Sequence, residues 1–384
     1  MVKRNKYMNV PEIRFKGLDK TWNKKTLDEL VQLNSGMDYK HLCNGNIPVY
    51  GTGGYMLSVN AALSYDKDAI GIGRKGTINK PYILKAPFWT VDTLFYAIPR
   101  KYNNLQFCNC IFQRIDWLKY DESTGVPSLS KNIINSIEVN CAPSYDEQQK
   151  IASYFQSLDS LIQTTSKKLV SLKQIKDASL QSMFPQEGET VPKVRFKGFE
   201  GEWEKIPFGS FLKESYERST VENEDILLSS AITGVYLNSE LFGHQRGASN
   251  IGYKKIKKYM LILSTQNLHL GNANVNLRFE HGLISPAYKV YEIVNISPLF
   301  LQQWIKMDST KVFFLNATTA GASLCRKNIV WDDLYKQIVL IPSKNEQVKI
   351  GLFFSNLDKQ ISLQTQRLEK LKQIKAACLD KMFV

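Results

Sequence analysis

The chain has 384 residues, 43% of them apolar and 22% charged, with 19 Phe and 18 Tyr, which excludes a disordered or fibrous protein and gives enough chain for two cores. Its 50 Lys and Arg against 36 Asp and Glu leave a formal net charge of +14; this favours a polyanionic partner, nucleic acid before others, because displacing counterions from phosphates supplies affinity. There is no run of about 18 apolar residues to span a membrane, and six scattered cysteines without a zinc spacing make free thiols and no metal site the expectation.

The opening, MVKRNKYMNVPEIRF, is basic but has no apolar stretch of the kind a secretion signal needs, so a cytoplasmic protein is expected. Residues 1–22 end in PEIRFKGLDKTW (Pro11–Trp22), a string that returns as PKVRFKGFEGEW (Pro192–Trp203). A first globule is expected over residues 23–143. In it, IPVYGTGGYM (Ile47–Met56) places Tyr50, Thr52 and Tyr55 around a glycine turn, which suits a groove-entering loop and equally suits tyrosines packed beside a hairpin.

GIGRKG (Gly71–Gly76) matches the dinucleotide fingerprint, but that motif needs a helix next, and the adjoining stretch is β-rich with Pro81 and Pro87. Here the glycines would let backbone approach a phosphate or a base edge, with Arg74, Lys75 and Thr77 as contacts; a plain glycine turn gives the same string. NKPY (Asn79–Tyr82) is similar to the Asn-Pro-Pro-Tyr loop of adenine methyltransferases, but Lys80 replaces the first proline. The carboxylates of YDKDAIGIGRK lack a well-placed set of metal ligands. No catalytic residue is assigned. Thr124, within Ser123-Thr124-Gly125, is a further candidate for contact with a nucleic-acid backbone.

A central helix is expected over residues 144–184. Ser144-x-x-Glu147 reads as a capping box after Pro143, and Ile151, Phe155, Leu158, Ile162, Leu169 and Leu172 form a coiled-coil seam. Thr165 stands where the seam calls for an apolar residue, and Pro185 ends the helix. Residues 185–203 are a linker and the second copy of the opening motif.

A second globule is expected over residues 204–342. YKKIKKYM sets Lys254 and Lys255, with Lys257 and Lys258, in a cluster that can track phosphates or simply face water. STQNLHLGNANV offers Gln266, Asn267, His269, Asn272 and Asn274, whose polar edges suit adenine, although Asn-rich turns need no ligand. Arg326 and Lys327 precede the last strand as candidate backbone contacts. Neither GTGG nor GRKG recurs here, so this globule's reading loops cannot be taken from the first.

From residue 343 to 384 the helix returns: Ser343-x-x-Glu346 after Pro342, then Ile350, Phe354, Leu357, Ile361, Leu368 and Leu371, with Gln364 at the break. LKQIK stands at both Leu172–Lys176 and Leu371–Lys375. The chain therefore reads as α+β, two copies of one plan, whose helices pair antiparallel about a pseudo-two-fold axis and set the separation of unlike globules.

RFKG before each globule, the P-S-x-x-E-Q-x-K-I helix starts, the following L-D and the LKQIK…MF tails resemble the specificity subunit of type I restriction–modification systems over essentially the whole chain. IPVYGTGGYM, GIGRKGTI, FWTVDTLFYAI (Phe88–Ile98) and ISPAYKVYEI (Ile284–Ile293) are similar to that family too. The resemblance implies two mixed α/β target recognition domains joined by two long antiparallel coiled-coil helices. It implies no catalysis and no cofactor in this chain. It further implies that a bipartite double-stranded DNA site is read, that two modification subunits using S-adenosylmethionine are recruited, and that in full complexes two restriction subunits with Mg and ATP join them. Unlike globules imply two different half-sites around an unread gap. A stand-alone repressor or architectural protein built on the same pseudo-dimer is the alternative, and a DNA methyltransferase or nuclease a more remote one.

Overall fold

The computed structural model describes residues 9–243, 249–323 and 326–384. The chain divides into two compact units, one running to Lys167 and completed by Thr365–Val384, the other Lys168–Gln364. Both divisions fall inside long helices, Tyr145–Met183 and Lys344–Lys381. Each unit thus holds one globule, part of the central helix and part of the C-terminal helix.

In the first unit, strand Asn23–Thr26 pairs antiparallel with Glu138–Cys141 and closes the globule where it begins and ends. A four-stranded antiparallel sheet comes next, in the order Val31–Ser35, Leu94–Pro99, Ala69–Gly73, Tyr82–Leu84. All five residues of Ala69–Gly73 are buried, which is why this strand reads as an unbroken apolar and glycine run instead of alternating. A smaller sheet consists of the hairpin Asn44–Gly51/Gly54–Val59, with Trp89–Thr90 parallel to its first strand. Helix Leu105–Arg114 is capped by Asn104, whose side chain accepts from the amides of Gln106 and Phe107.

The second unit repeats this topology although the two middle sequences share little. Glu204–Pro207 pairs with Ile338–Ile341, and the four-stranded sheet runs Leu212–Glu214, Tyr288–Ile293, Leu261–Ser264, Ala273–Val275, again antiparallel. The smaller sheet again has a hairpin, Leu227–Ala231/Gly234–Leu237, with His281–Ile284 parallel to its first strand, and Lys254–Lys257 adds a fourth member. Helix Pro298–Trp304 corresponds to Leu105–Arg114 and is capped by Ser297. Helix Asp308–Leu315 and the strand pair Thr318–Ser323/Arg326–Ile329 are additions of this unit.

The two long-helix segments run antiparallel within each unit. In the first, Lys375 Nζ lies 2.6 Å from Asp159 Oδ1, while Tyr154 meets Cys378 and Phe155 meets Phe383. In the second, Lys176 Nζ lies 2.5 Å from Asp358 Oδ1, and Phe184 meets Phe354. The last lysine of each LKQIK therefore pairs with the aspartate of the other tail's L-D. Of the expected seam residues, Ile151, Phe155, Leu158, Leu169, Leu172, Ile350, Phe354, Leu357 and Leu368 are buried, and Ile162, Ile361 and Leu371 are half-buried. Thr165 is buried and Gln364 half-buried, so the break in the seam is dry on the first helix and partly wet on the second.

The MF ends are exchanged between the repeats. Phe383, from the second repeat, stacks on Phe107 at 5.4 Å and meets Trp22 edge-on. Phe184, from the first, stacks on Phe300 at 5.4 Å and meets Trp203 edge-on. Each such phenylalanine completes a core, and burying a side chain of this size contributes roughly 1.5–3 kcal/mol.

The capping boxes are formed only in part. Ser144 Oγ accepts from the Glu147 amide at 3.3 Å, as expected, but the Glu147 carboxylate does not turn back to its own helix start. It accepts from Arg14 Nε at 2.7 Å, Arg14 Nη2 at 2.8 Å and Trp22 Nε1 at 3.1 Å. Glu346 likewise takes Arg195 Nε at 2.6 Å and Nη2 at 2.7 Å. The RFKG arginine outcompetes the helix amides because a guanidinium offers two parallel charged donors. Cys108, Cys110 and Cys141 are buried free thiols, Cys43 is exposed and Cys378 half-buried; Cys325 lies outside the described residues. No helix among the described residues is long and apolar enough to cross a membrane.

Candidate nucleic-acid interface

In the first globule three loops converge. The hairpin turns through Thr52 and Gly53, closing on the pair Gly51 and Gly54, with Gly54 at φ +108°. Tyr82 Oη donates to Gly51 O at 2.6 Å and pins the turn from the fourth strand of the main sheet. Burial, and then the neighbouring Tyr50, push the Tyr82 phenol up, so it stays a donor at neutral pH.

Beside this turn runs the loop leaving the buried strand. A Cβ at Gly73 would stand 2.1 Å from Thr77 O, and Gly76 has φ +92° with Thr52 Oγ1 3.9 Å from where its Cβ would be. The glycines of GIGRKG thus serve a tight return of the chain, and a strand rather than a helix comes after them. The loop is stitched down by Arg74 N to Thr93 O, Gly76 N to Pro127 O and Leu129 N to Arg74 O, each 2.8–2.9 Å. Arg74, Lys75 and Thr77 are left exposed on a fixed backbone. Arg74 rests over Phe95 and reaches Asp92 O at 3.4 Å.

Lys75 bridges to Ser128, which brings in the third loop. Asp121 Oδ1 accepts from the amides of Ser128 and Ser123 and from Ser123 Oγ at 2.9–3.0 Å, holding the loop that exposes Thr124. Those bonds, the Ser128 amide first, draw the Asp121 carboxyl below its ordinary value. A cleft of 630 Å³ lies beside the loops, lined among others by Arg74, Lys75, Phe95, Glu122 and Lys131. The two tyrosines of the hairpin differ. Tyr50 is half-buried and packs in the core, whereas Tyr55 is 63% exposed, with its hydroxyl 3.1 Å from Ser58 Oγ.

The second globule corrects several expectations. Asn274 is fully buried, and its amide donates to Ser230 Oγ and Ala231 O, both at 2.7 Å. Asn272 is buried against Ser230, and His269 is buried with its pKa lowered by desolvation and then by Lys327. These three serve packing, because a buried amide or imidazole has no face to offer a base edge. Lys254 is only 6% exposed, 4.0 Å from Glu214, and burial lowers its pKa. Lys255 pairs with Glu224, Lys257 with Glu217 and Lys258 with Glu280, so the lysine cluster is matched by glutamates and is not a bare phosphate track. Gln266 is exposed and Asn267 half-buried, on the loop that takes the place of Arg74–Thr77. Lys327 is half-buried; Arg326 opens its strand, and its side chain lies outside the described ones.

Sequence reasoning missed the counterpart of the Thr52–Gly53 turn. It is Ile232–Thr233, closed by the pair Ala231 and Gly234, with Gly234 at φ +153°. Asn274 holds Ala231 O from the fourth strand as Tyr82 holds Gly51 O. Lys306 Nζ adds bonds to Ile232 O at 2.7 Å, Ala273 O at 2.8 Å and Asn274 Oδ1 at 2.7 Å, and burial followed by Lys176 lowers its pKa to about 8. The available signal was IT between LLSSA and GVYL, short strands on either side of a turn.

Comparisons with known proteins agree with this architecture. Residues 19–174 match the type I restriction modification DNA specificity domain. Among curated proteins no sequence matches the chain. Among solved structures, the S subunit of a type I restriction-modification system from M. genitalium is similar at 16% identity, covering 98% of this chain and 99% of that one, with a TM-score of 0.67. The HsdS subunit from Thermoanaerobacter tengcongensis is similar at 15% identity over 94% and 96% of the two chains, with a TM-score of 0.42. Residues 19–174 are therefore similar to a type I restriction modification DNA specificity domain, and the chain has, over nearly its whole length, the fold seen in the S subunit from M. genitalium.

Proposed function

We propose that this chain is the non-catalytic DNA-specificity subunit of a type I restriction–modification complex. Each globule reads one half of a bipartite, asymmetric double-stranded site, and the paired helices set the unread gap. The observation that carries the reading is the match of residues 19–174 to a DNA specificity domain, over a globule that presents Thr52, Arg74, Lys75 and Thr77 on converging, firmly held loops. Charged and hydroxyl groups on a fixed backbone suit phosphate and base-edge contacts. Recruitment of modification subunits, which bring S-adenosylmethionine, is supported by Leu161, Val170, Ile175, Val348, Leu352 and Leu363, exposed apolar residues on the long helices. Restriction subunits with Mg and ATP complete complexes that cut.

The test is coexpression with the modification subunit followed by methylation-sensitive sequencing of host DNA. Methylation at one two-part motif is expected, and inserting a heptad in both helices, about 10 Å, should alter its gap or abolish it. Tight, specific gel shifts by the chain alone, undiminished without partner, would instead favour a stand-alone repressor or architectural protein.

A further inference from the structure

The second globule turns its hairpin through an isoleucine where the first uses a threonine. Ile232 is 51% exposed, a large apolar side chain at a loop tip that would gain by being covered. The tip is also held by many donors. Tyr288 Oη donates to Ser230 O at 2.9 Å, Asn274 to Ala231 O and Lys306 to Ile232 O, so three consecutive carbonyls are fixed. Asn272 links this tip to the neighbouring loop, bonding Ser230 through its side chain and Asn267 O through its amide. Exposed Gln266 lies on that loop, as exposed Lys75 does beside the Thr52 turn. The second turn thus sits, as the first does, on a carbonyl held from the fourth strand, with Ile232 and Thr233 where the first has Thr52 and Gly53.

We propose that Ile232 is a specificity-determining residue that recognises the 5-methyl group of a thymine from the major groove, giving the second half-site an A·T pair at that point. This rests on the DNA-reading role proposed above. Thymine is the base whose major-groove edge carries a hydrocarbon, and a rigid apolar tip gains by covering it. Gln266, on the adjoining loop, is placed to read a neighbouring base. The methyl contact is of the size of one buried methylene, worth about a fourfold change in affinity.

The experiment uses the complex of the full chain with its modification subunit and its mapped site. Each thymine of the second half-site is replaced in turn by deoxyuridine, which removes the methyl and nothing else. Wild type should lose affinity about fourfold at one position, and Ile232→Ala should bind thymine and uracil there alike. Because Ile232 is exposed, its alanine variant should unfold at the wild-type temperature, which separates lost reading from lost folding. The proposal is overturned if the second half-site contains no thymine, if every uracil duplex binds as well as the parent, or if Ile232→Ala discriminates as wild type does. A complex that prefers no sequence at all would overturn the DNA-reading role itself.

Discussion

Arg14 and Glu147 meet through two parallel hydrogen bonds of 2.7 and 2.8 Å, 133 residues apart, and Arg195 and Glu346 repeat the contact in the other unit. Both glutamates are essentially removed from solvent. The pair ties the motif ahead of each globule to the start of the helix behind it, which accounts for the arginine and the glutamate recurring at matching places in both repeats.

The two pairs are not equally buttressed. Glu147 keeps a bond from Trp22 Nε1 when its arginine is removed, whereas Trp203 Nε1 makes no hydrogen bond among the described residues. Arg195→Ala should destabilise the protein by about 3 kcal/mol, since it strands a buried carboxylate. Arg14→Ala should cost about 1.5 kcal/mol less. Urea unfolding of the two variants, compared through their midpoints, checks the order, and equal losses would show that the tryptophan bond is irrelevant.

Phe383 and Phe184 occupy the same place in their respective cores. Either one changed to alanine should cost about 3–5 kcal/mol, with loss of the stacked contact to Phe107 or Phe300. Trp22 and Trp203 lie beside these rings, so tryptophan emission should report the loosening directly. A variant that melts as wild type does would place these residues outside the cores.

Arg74 is exposed on a loop held at three points, so its replacement should alter recognition without altering the fold. Arg74→Ala is expected to relax or abolish reading of the first half-site, with about 1–3 kcal/mol less discrimination, and to leave the second untouched. Site mapping by methylation sequencing shows which half changes.

Asp121 gives the first globule a dependence on acid. Its carboxyl titrates below the ordinary value of 3.8 because the Ser128 and Ser123 amides bond the charged form. A depressed folded value means that the contribution is complete above 3.8 and is lost as the pH falls through the lower folded value. Protection of the Ser123 and Ser128 amides against exchange, relative to their intrinsic rates, should fall in that acid range in wild type. In Asp121→Asn these amides should exchange faster already at neutral pH, with no acid step.

Local spacing carried much of this organisation into the amino-acid string. The steps of four and three from Ile151 to Leu172 gave the helix face that is buried, because a 3.6-residue turn brings those positions to one side. Ser144 bonded the amide three residues on, as its position implied. The partner of Glu147 was not legible, since Arg14 is distant in sequence and reaches it only through the fold. The burial of Asn274 and Lys254 was hidden for a related reason: residue type gives polarity, while solvent access depends on what packs above the strand. The common topology of the globules escaped notice because a buried strand needs only apolar side chains of suitable size, and Ala69–Gly73 and Leu261–Ser264 meet that demand with almost no shared letters.

The exchange of terminal phenylalanines has a consequence for synthesis. The second unit is continuous in the chain, so a ribosome can release everything it needs by Gln364. The first unit must wait for Phe383, and until then Trp22 and Phe107 lack the ring that covers them. The part made earlier should therefore mature later, and chains truncated near residue 364 and released from the ribosome should show a protease-resistant second unit beside a still cleavable first.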